Sequence, residues 1–124
     1  MIKTILIGCM LACAPAVGPV AAQTFPERPV RFIVPNPPGG SNDATARALA
    51  QALSEIWAHG IVIDNRAGAG GNIGTQAAAT ATPDGYTYLL TPPGPMTINP
   101  SLHKKLPFDP QKDFVPIALL ATVP

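Results

Sequence analysis

Cysteine is nearly missing from this sequence: Cys9 and Cys13 are the two present, and both lie close to the N-terminus. Their position matters. Residues 1–22 combine one cation at Lys3, an apolar stretch from Ile5 to Val17 and the small residues Val20, Ala21 and Ala22, the layout of a secretory signal peptide cleaved after Ala22. The stretch is interrupted by Pro15 and Pro19 and falls short of the roughly 20 residues a spanning helix needs, so a retained anchor is the weaker reading. Leu6-Ile7-Gly8-Cys9 offers a lipobox-like alternative with a short apolar stretch before it. Cleavage after Ala22 would leave a mature chain without thiols. That excludes a disulfide framework, a zinc site and thiol chemistry, and it suits export to the bacterial periplasm.

Charge is scarce as well. Charged residues make up 12% of the chain, eight basic and seven acidic. Without Lys3 the remaining cations balance the acids, so there is no basic stripe for nucleic acid and no polybasic patch for a membrane surface. The two histidines, His59 and His103, have no Cys, His or acidic neighbours at metal-ligand spacing. No GxSxG elbow is present and no serine has an evident base partner. A GxxxxGK(S/T) phosphate loop is missing too. No catalytic residue, metal or cofactor is expected.

Proline and glycine, by contrast, are abundant, at 16 and 11 residues. They cluster in three loops, each following a short apolar run. The organising stretch is Val30 to Asp43, VRFIVPNPPGGSND, which reads as a buried strand, a tight loop and the opening of a helix. Val30, Phe32, Ile33 and Val34 suit a strand in the middle of a sheet. Gly39 and Gly40 let a ligand approach the backbone, and Ser41 is expected to cap a helix whose first-turn N–H groups face the loop. Asp43 is most cheaply explained as favouring that helix end, an organiser of the loop rather than a ligand for a carboxylate.

The helix carries Leu49, Ala52, Leu53, Ile56 and Trp57 at the spacing of one packed face, with Arg47, Gln51, Ser54 and Glu55 toward water and Gly60 as the stop. Trp57 on that stripe reads as core. Ile61 to Asp64 is a second strand, and the loop from Arg66 to Gly71 leads into a small-residue helix over 72–81. Gly68, Gly70 and Gly74 have GxGxxxG spacing, but no acidic residue ends a strand at the distance a dinucleotide site needs. After the Pro83-Asp84-Gly85 turn, Tyr86 to Leu90 is a third strand, followed by the loop Thr91 to Pro95. From Asn99 to Asp113 at most one helical turn is expected, and Phe114 to Val123 is strand-like. Alternating strands and helices indicate an α/β fold with a mostly parallel sheet, and ligands bind such sheets at the carboxyl ends of the strands. All three loops fall there.

With these residues in view, PNPPGGSNDATARALAQALSE, VIDNRAGAGGNIGTQAAATATPDGYTYLL and INPSLHKKLPFDPQKDFVPIALLATVP together resemble the start of a periplasmic solute-binding protein of the tripartite tricarboxylate transporter system, the TctC or Bug family. The resemblance runs from Phe25 to Pro124. It implies a two-lobed Venus-flytrap protein that captures a small carboxylated solute and delivers it to membrane components of the transporter. Residues 23–124 would form part of the first lobe, truncated where the family continues into the second, and the protein would be a monomer without enzymatic activity.

By motif, the resemblance assigns ligand contacts to Asn36, Pro37, Pro38, Gly39, Gly40, Ser41, Asn42 and Asp43 in the first loop. It assigns Gly70, Gly71 and Asn72 in the second, and Thr91, Gly94 and Thr97 in the third. Two departures stand out. Asn36 replaces an aromatic residue common in the family, and Pro92, Pro93 and Pro95 remove backbone donors from the third loop. The rival expectation is an exported α/β enzyme whose catalytic residues lie beyond this stretch. A fragment without function is the third, and residues 23–124 alone are expected to be poorly folded because the sheet lacks its partners.

Overall fold

The computed structural model describes residues 24–122. The expected signal peptide and its lipobox alternative lie outside them. Strand β1 (Val30–Val34) is followed by helix α1 (Ser41–Ser54), β2 (Ile61–Asn65), α2 (Asn72–Ala79), β3 (Thr87–Leu89) and the single-turn α3 (Asn99–Leu102). The three strands form one parallel sheet in the order β2-β1-β3, with Val30 opposite Ile61 and Ile33 opposite Leu89. β1 is central, and Val30, Phe32, Ile33 and Val34 are buried with Arg31 half-buried between them, as a largely apolar run predicts for a strand in the middle of a parallel sheet. No helix among the described residues is long and apolar enough to cross a membrane.

α1 differs from its expected phase and length. It ends at Ser54, with Glu55 as C-cap in right-handed helical geometry. Gly60 therefore does not stop it. The buried residues are Asp43, Ala46 and Ala50, while Leu49, Leu53 and Trp57 are half-buried and Ile56 is 78% exposed. Asp43, Ala46, Ala50, Leu53 and Trp57 also have helical spacing, and alanine on the inner face lets the helix axis approach the sheet closely. Trp57 turns back at the end of the helix to meet Phe25 edge-on, ring centroids 5.5 Å apart. Phe25 also lies 5.2 Å from Tyr86, whose ring carries Arg28 at 4.2 Å. The lead-in chain is thereby fastened to the edge of the sheet opposite the strand-end loops.

Two further expectations change. The third loop, read as a plain loop over Thr91 to Pro95, winds into a wide helical turn over Gly94–Ile98 that runs directly into α3, the one helical turn expected after Asn99. Pro93 and Pro95 permit this because the first turn of a helix does not need their missing N–H groups. The strand-like run from Phe114 takes no helix or strand structure through residue 122, and Val115, Ile117 and Leu119 are exposed. A strand needs a neighbour for its backbone groups, and none lies beside this run among the described residues.

Candidate functional site

Because the strands are parallel, the chain leaves each of them at the same edge of the sheet, and the three loops meet there. In the first loop Gly40, not Ser41, is the residue before α1, and no side chain caps the helix. The first helical bond runs from Ala44 N–H to Gly40 O at 2.9 Å. The amides of Ser41, Asn42 and Asp43 thus precede the ladder, at the positive end of a 14-residue helix. Pro37, Pro38, Gly39, Gly40 and Ser41 are exposed along this rim, and Asn36 and Asn42 are half-buried.

Asp43 holds the loop from below. Its side chain is 3% exposed and every bond it makes is accepted from a donor. Gly39 N–H and Arg47 Nε both reach Oδ2 at 2.8 Å, and Asn65 Nδ2 reaches Oδ1 at 3.0 Å. Arg47 is thus an ion-pair partner one turn along the helix rather than a free solvated charge. The Arg47 bond and the Gly39 amide pull the Asp43 carboxyl down from its ordinary 3.8 to about 2, against desolvation, which pushes it up. The Gly39 amide is consumed by this bond and is not free for a ligand. Asn65, at the end of β2, also donates to Asn36 O at 3.2 Å, and Asn42 Nδ2 donates to Asn36 Oδ1 at 2.9 Å. Arg47 offsets the carboxylate's charge, so the rim above it is not left negative toward an anion.

The second loop is built differently. Gly68, Ala69, Gly70 and Gly71 have φ of 128°, 49°, 64° and 91°, a left-handed run that glycine adopts freely and alanine at a cost of about 1 kcal/mol. A Cβ on Gly71 would lie 2.7 Å from Pro95 Cγ and 3.6 Å from Pro35 Cβ. All three loops therefore touch at this one residue. A Cβ on Gly74 would come within 2.7 Å of Arg66 O and 2.8 Å of Pro35 Cα, so the start of α2 rests directly on the backbone leaving β1. Thr75, fully buried, donates its hydroxyl to Gly71 O at 2.9 Å. Asn72 is buried and accepts at Oδ1 from Asn99 Nδ2 at 2.7 Å.

In the third loop Thr91 Oγ1 donates to Pro92 O at 3.0 Å and Thr97 Oγ1 to Pro93 O at 2.8 Å. Thr97 is exposed and Gly94 half-buried. The structure thus joins Gly70, Gly71 and Asn72 to the third loop through Pro95 and Asn99. No hydrogen bond among the described residues ties Thr91, Gly94 or Thr97 to the first loop. Sequence reasoning missed Asn65 and Asn99, and it named Gly74 and Pro95 without seeing that they bring the loops together. A polar amide ending the strand IVIDN was the available signal for Asn65, whereas Asn99 opened a stretch read only as holding at most one helical turn. Two concavities of the surface lie elsewhere, around His103, Phe108 and Asp109 and around Arg28, Arg31 and Tyr86. No group of three metal-ligating side chains occurs among the described residues.

The chain is 44% identical over 120 residues to protein BugT of Bordetella pertussis, covering 96% of this chain and 37% of BugT. Its fold is similar to MatC of Rhodopseudomonas palustris with bound malate, with a TM-score of 0.73 and 38% identity over 77% of this chain and 33% of that one. It is also similar to an R. palustris protein solved with adipate, with a TM-score of 0.67 and 38% identity over 70% and 29% of the two chains. The chain spans about a third of the length of these relatives. Residues 45–124 match the tripartite tricarboxylate transporter family receptor, TctC, and with an α/β sheet shared with periplasmic binding proteins, the chain belongs to the TctC family of solute-binding receptors.

Proposed function

We propose that this chain supplies part of the first lobe of a periplasmic receptor that captures a small carboxylated solute and passes it to the membrane components of a tripartite transporter. The observation that carries this reading is the convergence of three strand-end loops on Gly71, at the same edge of the sheet as the first-turn amides of α1. A carboxylate placed on this rim meets N–H donors and the positive end of a helix, with no side-chain cation required. Ser41 and Asn42 offer backbone amides and Asn72 a side-chain amide. The Thr91 and Thr97 hydroxyls donate to the Pro92 and Pro93 carbonyls and would have to rotate away from them to donate to a carboxylate. Asn36 contributes polarity at the wall of the pocket. Pro37 and Pro38 shape the rim without donating.

The bound malate and adipate of the similar R. palustris proteins support a dicarboxylate or related acid as the solute. Capture in this manner involves no covalent step, so no turnover is expected. Export through the N-terminal signal would place a monomeric receptor in the periplasm. The test is a thermal-shift panel of dicarboxylates, tricarboxylates, amino acids and aromatic acids on the full natural protein containing this chain. A true ligand at about 100 times its dissociation constant adds about 2.7 kcal/mol of stability. A panel in which no carboxylate raises the melting temperature refutes the reading.

A further inference from the structure

Asn99 opens α3, distant in sequence from the second loop, yet its side chain is built into that loop. It is 8% exposed, and its Nδ2 donates to Asn72 Oδ1 at 2.7 Å and to Gly70 O at 3.3 Å. The Gly70 partner is a backbone carbonyl and can only accept, so the Asn99 atom facing it must be the amino nitrogen. That fixes the Asn99 amide, and Asn99 in turn fixes Asn72. The Asn72 atom 2.7 Å from an amino nitrogen must be its carbonyl oxygen. The Asn72 amino group is therefore turned away from Asn99, and it donates to nothing among the described residues. No buried side-chain polar atom there lacks a partner, so this amino group meets solvent beside the left-handed glycine turn.

We propose that Asn99 is a positioning residue that sets the polarity of the second loop, holding the Asn72 amide so that the loop offers a ligand carboxylate an N–H donor instead of a carbonyl oxygen. This rests on the reading that the loop edge receives a carboxylate. Asn99 need not touch the ligand to act. Asn99→Asp conserves shape but replaces the only donor by an acceptor. Asn72 then has to turn its amino group inward to satisfy the new carboxylate, and its carbonyl oxygen faces outward and repels an anion. Asn72→Asp does the opposite. It keeps an acceptor toward Asn99, and with it the fold of the loop, but presents a carboxylate oxygen where the amino group stood.

Side-chain amide hydrogen exchange, read by NMR on the full natural protein, tests the orientation without any ligand. In the wild type the Asn99 amino protons should exchange about tenfold or more slowly than those of Asn72, because they alone are hydrogen-bonded. In Asn99→Asp the Asn72 amino protons should become the protected ones. Protection of Asn72 in the wild type, or equal exchange of the two, overturns the proposal. Calorimetry with malate and adipate tests the consequence. Asn99→Asp and Asn72→Asp should each weaken whichever acid the wild type binds by about tenfold or more, and unchanged affinity in both variants overturns it. A wild type that binds neither acid counts against these ligands. The exchange result then upholds or overturns the role of Asn99 by itself.

Discussion

The first loop gathers around an ionised group, Asp43, which collects donors from the loop backbone, from the helix and from β2. Across the same sheet edge, the joint between the second and third loops is made of glycine, proline and neutral amides, set by close approach of backbones. The first arrangement is sensitive to protons and to the loss of single donors, and it tolerates small additions of volume. The second has no net charge to lose but no room to spare. The two halves of one rim are thus vulnerable to different perturbations, which gives direct ways to separate them.

The largest effect is expected at the packed joint. Gly74→Ala forces a methyl group against the Arg66 carbonyl and the Pro35 backbone, neither of which can swing aside. A loss of about 3 kcal/mol in urea unfolding is expected, the upper range for overpacking. Gly40→Ala in the first loop, where the nearest atom lies at 3.5 Å, should be tolerated under the same measurement. Equal costs at the two positions would break the comparison. Next in size is Asn65→Ala, which leaves Asp43 Oδ1 and Asn36 O without their shared donor. It should cost about 1 to 2 kcal/mol by chemical denaturation, and should loosen amide exchange in the first loop without affecting the second.

Acid should act on the first loop selectively. The folded Asp43 titrates at about 2 against an ordinary 3.8, so as pH falls the unfolded chain takes up the proton first. The stabilisation from Asp43 is therefore complete above about pH 4, declines as pH drops through 3.8, and is gone below about pH 2. Asp43→Asn removes this dependence. The gap between wild-type and variant urea midpoints should be widest near neutrality and should narrow steadily across that acidic window. A constant gap would mean that Asp43 holds the loop by shape alone. The smallest effect is expected at Ile56, 78% exposed. Ile56→Gln should change stability by less than about 0.5 kcal/mol, whereas the stripe read from sequence would make it a core substitution.

That last variant marks where the sequence was legible. β1 and its neighbours could be read because a central parallel strand must be apolar on both faces, and the three loops followed at their carboxyl ends. The phase of α1 could not, since Leu49, Leu53, Ile56 and Trp57 outweigh Ala46 and Ala50 in hydrophobicity, while closeness of packing selected the alanines. An acidic residue on the buried face is equally unexpected until Gly39, Arg47 and Asn65 are in place around it. The Gly94–Ile98 turn was hidden by prolines that read as breakers. Asn99 was hidden because its partner Asn72 lies 27 residues away, and no local pattern reports such a contact.

The strand order β2-β1-β3 has a consequence in time. β1, α1 and β2 close on one another as consecutive elements, whereas β3 has to return across the sheet to reach the far side of β1. The longer closure costs little at equilibrium, about 0.6 kcal/mol per doubling of loop length, but contacts nearer in sequence tend to form sooner. The rim is then assembled from one side. On that order the loop organised by Asp43 would take shape with the first βαβ unit, and the left-handed glycine turn would be fixed only once Pro95 and Asn99 arrive.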